Sequence, residues 1–406
     1  MANVAVLGYG TVGSGVVEVL ERNKAEIRKN AGEEISVKYI LDLRDFPGDP
    51  FEDRVIHDFN RILEDDEIQV VCEVMGGVGA AYQFTKQCLM AGKSVCTSNK
   101  ELVARHGTEL LALAGEKCCN YMFEASVGGG IPIIRNIHNS YTAEQIRAVT
   151  GILNGTTNYI LSKMETEHAD YTEALKQAQE LGYAERSPEA DVEGHDACRK
   201  AAILSALVTG REVDTERIYT EGISGVKPAD FEFAAGNGMT IKLLAVCRIL
   251  EDGKLSAMVA PFMLSGNHPL ASVGDVFNGV LVSSNMLGDT MFYGRGAGKL
   301  PTASAVVADV VDCVQNRGRS VMAGWGCGKA EMADIEECER LFYVRTAANA
   351  FGTAAKAFGL NAEHIARQEC LRDGEYGFIT PVMKEKDFRG KCLELGDVIL
   401  SRIRVM

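Results

Sequence analysis

The sequence lacks the features of a membrane, secreted or zinc-binding protein. No stretch of it approaches the ~18 consecutive apolar residues that a membrane span needs. Its opening residues, MANVAVLGYG, carry no basic region before the apolar run, so we expect no secretory signal and a cytoplasmic location. The seven histidines and twelve cysteines contain no H-E-x-x-H and no C-x-x-C motif, which argues against a zinc site and a disulfide framework.

The sequence also has little basic charge. Its 42 lysines and arginines are outnumbered by 56 acidic residues, and the net charge is −14. A surface of that sign repels phosphate backbones, so no nucleic-acid partner is expected. The remaining composition, 46% hydrophobic and 24% charged, is typical of a globular protein, and a length of 406 residues predicts two or three domains.

A glycine-rich motif near the start predicts a dinucleotide site. The apolar strand NVAVL leads into GYGTVG, and SGVVEVLERN then has the spacing of a helix. In this context the glycines allow a tight turn, the approach of a pyrophosphate and close packing of helix on strand. We therefore predict cofactor contacts at Gly8, Gly10, Thr11, Val12 and Gly13. The alternative is a strand-to-helix turn that is merely rich in glycine.

Strands and helices continue to alternate along the first third of the chain. ISVKYIL, IQVVCEVMGG and SVCTS predict three further strands, and AAYQFTKQCLMAG predicts a helix between the last two. Such alternation indicates an α/β fold with a parallel, doubly wound sheet, whose ligands lie beyond the carboxyl ends of the strands. The residues expected near this crevice are Gly76, Gly77, Thr97, Ser98, Asn99 and Lys100.

The residues after the second strand leave the cofactor undecided. Asp42 closes that strand, where an acid would bind the ribose hydroxyls of NAD. Arg44 follows two residues later and could bind the additional phosphate of NADP. We expect NADP or NAD, with NADP slightly favoured, and count Arg44 among the cofactor-binding residues.

A charge cluster precedes an apolar helix in DVEGHDACRKAAILSA. Asp196 and Lys200 are four residues apart, so on a helix they would share a face. An ordinary surface pair is one interpretation. The other is an active site, because a lysine aimed by acids could protonate the oxygen that becomes negative when an aldehyde accepts a hydride. The adjacent apolar run and the preceding dinucleotide motif favour the active site.

The segment EASVGGGIPII, residues 124 to 134, also has two interpretations. Three successive glycines would let main-chain carbonyls converge on a cation, or would form a hinge between domains. No cysteine is expected to act as a nucleophile, because Cys198, on the charged helix, has no recognisable histidine base beside it.

Five segments carry a resemblance to a known family. TSNKELV, EASVGGGIPII, GILNGTTNYIL, LGYAE…DVEGHDACRKAAIL and GRGAGKLPTASAVVADV occur in the order typical of homoserine dehydrogenases, over about the first 330 residues. The resemblance implies reversible reduction of L-aspartate 4-semialdehyde to L-homoserine with NADPH or NADH, a step toward threonine, methionine and isoleucine. It also implies a Rossmann-type domain, a central α+β catalytic and dimerisation domain, and a homodimer or higher homo-oligomer.

The resemblance assigns roles to particular residues. The catalytic set that it implies is Lys200, Lys100 and Asp196. Substrate binding falls on Glu185, Asp191 and Asp196, and the segment NGTTN adds the amide of Asn154 and the hydroxyl of Thr156. Further cofactor contacts are Thr97, Lys100 and Gly298. A structural Na⁺ or K⁺ would be held, largely through main-chain oxygens, by Glu124, Val127, Gly129 and Ile131.

The last part of the chain predicts a separate small domain. RLFYVRTA, FGTAAKAFG, HIARQECL, YGFITPVM, DFRGKCLEL and VILSRIRVM follow the ferredoxin-like order β-α-β-β-α-β, with a turn at RDGE. This order resembles the regulatory ACT domain, although ANAFG replaces the usual effector loop, so effector binding and a structural role stay open. The predicted division is 1–125 nucleotide-binding, 126–305 catalytic and dimerisation, 306–335 returning helix and linker, and 336–406 ACT-like.

Two other functions remain possible from the sequence. One is a sensor that binds NAD(P)H without catalysis, and the other is a dehydrogenase of the same architecture that acts on a different small amino or hydroxy acid. Turnover of homoserine, compared with serine and malate, distinguishes all three.

Overall fold

The computed structural model describes residues 1–321, 324–360 and 374–406, together with the main chain of residues 369–370. The chain forms two compact units. The first comprises residues 1–145, 202–215 and 294–330, and the second comprises residues 146–201, 216–293 and 331–406. The predicted division into four segments stays a prediction. Among the described residues, no helix combines the length and the apolar character that crossing a membrane requires.

The first unit is built on a six-stranded parallel sheet. Its strands are β1 Ala2–Leu7, β2 Ile35–Leu41, β3 Val55–Ile56, β4 Ile68–Glu73, β5 Ser94–Thr97 and β6 Tyr121–Met122. Their order, β3-β2-β1-β4-β5-β6, is that of the Rossmann fold, and all neighbours are parallel. The strands are mostly apolar because helices bury both faces of a parallel sheet. The order reverses between β1 and β4, which is where such folds bind nucleotides.

Seven helices of the described chain belong to this unit. They are α1 Thr11–Arg22, α2 Lys24–Ala31, α3 Asn60–Leu63, α4 Gly79–Met90, α5 Lys100–Glu116, α6 Ile133–Ser140 and α12 Lys299–Gln315. The last of these, α12, packs on α1 and β4.

The glycine-rich segment 318–333, predicted to be a linker, is partly ordered strand. β14 Gly326–Lys329 pairs with β8 Arg211–Glu212 in a parallel two-stranded ribbon. The reason is Trp325, which is buried and donates its indole N–H to Thr108 Oγ1 at 2.9 Å. The ring lies so close to α5 that a Cβ on Gly107 would be 2.5 Å from Cζ2. The linker prediction was therefore wrong for residues 326–329.

Among its described residues, the second unit contains an eleven-stranded sheet. Its strands are β7 Ile146–Ile152, β9 Tyr219–Thr220, β10 Met239–Ile249, β11 Leu255–Ser265, β12 Phe277–Ser284, β13 Asp289–Arg295, β15 Glu339–Ala347, β16 Glu369–Cys370, β17 Glu375–Ile379, β18 Met383–Lys384 and β19 Ile399–Val405. The main path runs β13-β12-β7-β10-β11-β19-β15-β17-β16. β10 and β11 are long and buried over most of their length, so they form its centre.

Helices of the second unit carry the charged motif. They are α7 Gly155–Thr166, α8 Tyr171–Glu180, α9 Glu189–Val192, α11 Pro228–Gly236, α13 Phe351–Phe358 and α14 Glu385–Leu395. Helix α10, His195–Thr209, begins in this unit and ends in the first. Because α10 includes both Asp196 and Lys200, the predicted placement of the two residues on one helix is confirmed.

Residues 336–406, here called the tail, have the predicted ferredoxin-like order. β15, α13, β16, β17, α14 and β19 follow one another, and the strands lie in the order β19-β15-β17-β16. β19 also pairs with β11, in parallel, at Phe262↔Arg404 and Met263↔Val405, so the tail continues the central sheet. Of the predicted strand 364–371 only residues 369–370 are described, and residues 372–373 of the predicted turn at 372–375 also lie outside the described residues.

Candidate active site

The loop after β1 has the geometry that its glycines predict. Gly8 has a φ of +93°, and a Cβ there would lie 3.1 Å from Met75 Cγ. A Cβ on Gly13 would lie 1.9 Å from the carbonyl oxygen of Gly8, so no larger residue fits. Space is open beside Gly10, and Thr11 and Val12 begin α1. The first N–H groups of a helix have no helical partner, so they are available to a phosphate.

A later part of the chain reaches the same helix. Gly298 precedes α12 with a φ of +118°, a conformation that other residues rarely adopt. The helix that it starts crosses α1 closely, because a Cβ on Gly15 would lie 2.9 Å from the carbonyl oxygen of Lys299. Lys299 Nζ also pairs with Glu18 of α1 at 2.7 Å. The structure thus brings Gly298 to the helix that follows the glycine loop.

Asp42 and Arg44 form a bidentate pair after β2. Arg44 Nε and Nη2 donate to the two oxygens of Asp42, each at 3.0 Å, and the N–H of Tyr9 donates to Oδ2 at 2.8 Å. The Arg44 guanidinium is the main cause that holds the pKa of Asp42 well below its usual range, and the N–H groups of Tyr9 and Arg44 add to it, whereas burial acts in the opposite direction. The Arg44 side chain is 62% exposed. The acid that would suit NAD and the base that would suit NADP are therefore bonded to each other.

Thr97 and Lys100 lie where β5 ends and α5 begins. Asn99 caps α5, its side-chain oxygen accepting from the N–H of Leu102 at 3.0 Å, and Lys100 is the first helical residue and is half-buried. Thr97 is fully buried, and its hydroxyl donates to Glu73 at 2.6 Å. The Thr97 side chain therefore faces the sheet rather than the surface of the crevice.

The charged cluster of the second unit is buried. Lys200 Nζ donates to Asp196 Oδ2 at 2.7 Å and to the carbonyl oxygen of Leu153 at 2.6 Å. Both side chains are almost inaccessible, at 10% and 4% exposure, which distinguishes them from a surface ion pair. At an effective dielectric of about 20, charges at this distance attract by about 6 kcal/mol before desolvation is subtracted. The ammonium group is consequently held at one place.

Asn154 joins the two aspartates. Its amide nitrogen donates to Asp191 Oδ1 at 2.7 Å and to Asp196 Oδ2 at 2.9 Å, and its amide oxygen accepts from the N–H of Thr157 at 2.9 Å. Asn154 is thus the cap of α7 as well as the bridge between the acids. A buried amide that serves three groups has little freedom, so it fixes both carboxylates relative to Lys200.

Thr156 and Glu185 lie at the edge of this cluster. Thr156 Oγ1 donates to the carbonyl oxygen of Tyr183 at 2.6 Å, and the Tyr183 ring packs edge-on against Tyr159, with centroids 5.1 Å apart. These contacts anchor the turn that carries Glu185. The Glu185 side chain itself is exposed, so the hydrogen bonds described above gather Asn154, Asp191, Asp196 and Lys200 without it.

The predicted cation loop is a tight turn whose acid is already engaged. Gly128 and Gly129 have φ values of +74° and +55°, which let successive carbonyls turn toward one side. The Glu124 carboxylate accepts from the N–H groups of Ile134 and Arg135, at 2.9 and 2.6 Å, and so caps α6. Burial raises its pKa to about 7. Within the described ranges, no three His, Cys, Asp or Glu side chains cluster as metal ligands would.

The described cysteines are free thiols, and the one on the charged helix is unsuited to nucleophilic chemistry. Cys198 is buried, and this burial raises the pKa of its thiol. Since the thiolate is the reactive form, the structure agrees with the prediction that catalysis does not use this cysteine.

Two hydrogen-bonding groups in these sites were not predicted from the sequence. The carbonyl of Leu153 receives the lysine ammonium, and no side-chain pattern identifies a main-chain oxygen. Glu73 is fully buried at the end of β4 and bonds to Thr97. A signal for Glu73 was present, because it is the single acid inside the apolar run IQVVCEVM.

The Rossmann strand order, the glycine loop and a buried lysine held by a carboxylate define an NAD(P)-dependent oxidoreductase. A family model described as homoserine dehydrogenase, NAD binding domain, matches residues 8–124, and one described as homoserine dehydrogenase matches residues 132–311. The chain belongs to the homoserine dehydrogenase family.

Individual relatives agree with this assignment. The homoserine dehydrogenase of Bacillus subtilis (strain 168) is 42% identical over 321 residues, which are 77% of this chain and 73% of that protein. The crystal structure of a homoserine dehydrogenase from Thiobacillus denitrificans superposes with a TM-score of 0.90 at 34% identity, covering 100% of this chain and 98% of that one. A hyperthermophilic archaeal homoserine dehydrogenase mutant in complex with NADPH has a TM-score of 0.65 at 28% identity, over 77% of this chain and 97% of the other.

Proposed function

We propose that this protein catalyses the reversible NAD(P)-dependent reduction of L-aspartate 4-semialdehyde to L-homoserine, in the biosynthesis of threonine, methionine and isoleucine. One observation carries the proposal beyond family membership: Lys200, buried and bonded to Asp196 and to the Leu153 carbonyl, is an ammonium group fixed in position. We assign cofactor binding to residues of the first unit and substrate binding to residues of the second.

Lys200 acts as the proton donor and acceptor. The bound nicotinamide supplies or takes the hydride. In the reductive direction the aldehyde oxygen becomes negative, and the Lys200 ammonium stabilises it and then protonates it. In the oxidative direction the neutral amine takes the proton of the homoserine hydroxyl. Asp196 favours the ammonium form and aims it, and Lys100 adds a second positive charge for the substrate and cofactor.

The substrate is an amino acid, so its ammonium group needs carboxylates. Asp191 is held in place by Asn154, and Glu185, on the exposed turn anchored through Thr156, completes the acidic pair. The exposure of Glu185 leaves its carboxylate available to an incoming ligand. Asn154 and Thr156 therefore contribute mainly by positioning the acids and the turn.

For the cofactor we propose NADP in preference to NAD. Arg44 is exposed and its partner Asp42 is already neutralised by it, so an incoming phosphate meets a guanidinium rather than a bare carboxylate. NAD is also accepted, because the ribose hydroxyls can take the place of Arg44 at Asp42. The glycine loop, Lys100, Gly298 and the main chain at Thr97 serve both cofactors.

For the turn at residues 124–131 we propose a structural Na⁺ or K⁺ held by main-chain oxygens of Glu124, Val127, Gly129 and Ile131. The support is the chemistry of the donor set: the Glu124 carboxylate is committed to capping α6, which leaves main-chain oxygens as the ligands, and two left-handed glycines turn the main chain tightly there. A divalent ion, which prefers carboxylates, does not suit such a set.

We further propose that the protein is cytoplasmic and forms a homodimer or a higher homo-oligomer through its central domain. The tail has the strand order of ACT domains, and we propose that it stabilises the central sheet whether or not it also binds an amino-acid effector.

The test of the function is turnover. Purified protein is mixed with L-homoserine and either NADP⁺ or NAD⁺, and nicotinamide absorbance is followed; serine and malate are the control substrates. We expect turnover with homoserine alone, faster with NADP⁺. Faster turnover of serine or malate would instead indicate a dehydrogenase of another substrate. Cofactor binding without turnover of any alcohol or aldehyde would favour the sensor and reject the proposal.

A further inference from the structure

A buried acid ends the central strand of the first sheet. Glu73 is the last residue of β4, and it is fully buried. Its two oxygens have different partners: Oε1 accepts from the N–H of Met75 at 2.9 Å, and Oε2 accepts from the hydroxyl of Thr97 at 2.6 Å. One carboxylate therefore holds the loop that leaves its own strand and the end of the neighbouring strand β5.

The contact with Thr97 is passed on to the start of α5. Thr97 Oγ1 accepts from the N–H of Asn99 at 2.9 Å. The Asn99 amide nitrogen donates to the carbonyl oxygen of Gly77 at 2.6 Å, and its amide oxygen caps α5. The chain of hydrogen bonds that begins at Glu73 thus returns to the loop after β4. Lys100, the next residue, is held at the first turn of a helix whose cap is part of this ring.

A carboxylate is costly at this position. Burial raises the pKa of Glu73 to about 7, against the effect of the hydrogen bonds from Thr97 and Met75. An apolar residue would suit the strand better, since the preceding residues Val71 and Cys72 are both fully buried. Glutamine keeps one acceptor oxygen for the Met75 N–H, but its amide nitrogen would have to donate to Thr97 Oγ1, which already accepts from the N–H of Asn99, and the Thr97 hydroxyl would lose its acceptor. The carboxylate accepts from both loops at once.

We propose that Glu73 is a positioning residue, which through Thr97 and Asn99 fixes Lys100 and the two loops that receive the nicotinamide half of the cofactor. The inference rests on the proposed function for the identity of the crevice. It also gives Thr97 a different role from direct contact, because the Thr97 side chain is inaccessible and its hydroxyl is committed to Glu73.

The experiment uses the full chain and compares Glu73→Gln, Thr97→Val and the double variant with the wild type. Thr85→Val is the matched control, because Thr85 is a fully buried threonine of α4 outside the crevice. Four quantities are measured: kcat, the KM values for NADP⁺ and for homoserine, the Kd of NADPH from its fluorescence, and Tm.

We expect each single change to raise the KM for NADP⁺ and the Kd of NADPH about tenfold, the effect of one hydrogen bond to a charged group. The homoserine KM should stay within about twofold and Thr85→Val should change neither constant. In the double variant these two constants should be no higher than in the more affected single variant, because both changes remove the same hydrogen bond.

The outcomes separate this inference from the proposed function. A wild type without homoserine turnover rejects the function, while the NADPH Kd still tests Glu73. Folded single variants with wild-type cofactor constants overturn the inference, as does a lower Tm with unchanged constants, which is what a purely structural role produces. If Glu73→Gln does not fold, Thr97→Val alone decides, with Thr97→Ser expected to restore the wild-type values because it keeps the hydroxyl.

Discussion

Replacing Lys200 is the perturbation that tests the mechanism most directly. Lys200→Ala removes an ammonium group that lies 2.7 Å from Asp196 Oδ2 and 2.6 Å from the Leu153 carbonyl. Positioned general acids and bases contribute roughly 10²- to 10⁴-fold to rate, which is about 3 to 5.5 kcal/mol of transition-state stabilisation. We therefore expect kcat to fall by about 100- to 10,000-fold.

Lys200→Arg separates charge from proton transfer. Arginine keeps the positive charge and can still pair with Asp196, but it does not release its proton at any accessible pH. Homoserine oxidation, in which the side chain must accept a proton, should therefore fall nearly as far as in Lys200→Ala. In the wild type this oxidation should accelerate as pH rises, and both variants should lose that dependence.

The assay is steady-state oxidation of homoserine across a pH series, with NADPH affinity measured separately. Lys163→Ala is the matched control, because Lys163 forms an i,i+4 pair with Glu167 at 2.5 Å on an exposed face of α7. We expect the control to retain wild-type kcat and every variant to bind NADPH normally. A folded Lys200→Ala protein with kcat within twofold of the wild type would refute the proposed role of this lysine.

Three further predictions follow from particular contacts. Arg44→Ala should lower kcat/KM for NADP⁺ about tenfold, the value of a hydrogen bond to a charged group, and leave NAD⁺ unaffected or improved; equal losses with both cofactors would exclude Arg44 as the selector. Asp230→Ala removes a fully buried acceptor of Arg345 Nε (2.9 Å) and Tyr343 O–H (3.1 Å). It should cost about 3 kcal/mol in a denaturant titration, and an unchanged midpoint would disprove the estimate. Glu73 has a folded-state pKa raised to about 7 from 4.5, so the unfolded chain releases this proton first and the free energy of unfolding should fall as pH rises between those values. Glu73→Gln should remove up to about 3 kcal/mol of that decline, and an identical slope in both proteins would contradict the raised pKa.

Local patterns predicted the elements well where a single cause decides them. The apolar run ISVKYIL became a strand with the same bounds, Ile35–Leu41, because polar residues flank it on both sides. Asp196 and Lys200 form the predicted contact because residues four apart share a helix face, independently of the rest of the fold. The glycine loop was predicted correctly for a similarly local reason: Gly8 has a left-handed φ, and at Gly13 the carbonyl oxygen of Gly8 leaves no room for a side chain.

Contacts between residues far apart in the chain could not be predicted from a single sequence. Asn154 lies about 40 positions before the acids that it bridges, and the motif NGTTN indicated polar groups without indicating which ones they would contact. The pairing of β19 with β11 depends on two strands about 140 residues apart. Glu73 was visible as a charge in an apolar strand, yet its meaning required the neighbouring strand end to be known.

The pairing of β11 with β19 makes the last strand a structural part of the central sheet. The edge of β11 is covered by β9 at residues 258–259 and by β19 at residues 262–263, so the last strand is an interior one. A protein cut after residue 335 would expose the donors and acceptors of Phe262 and Met263 beside a long apolar strand, which is the arrangement that promotes edge-to-edge aggregation. We therefore expect a protein truncated in this way to aggregate. A lysine placed on the exposed edge should reduce the aggregation, as it does on the edge strands of natural sheet proteins.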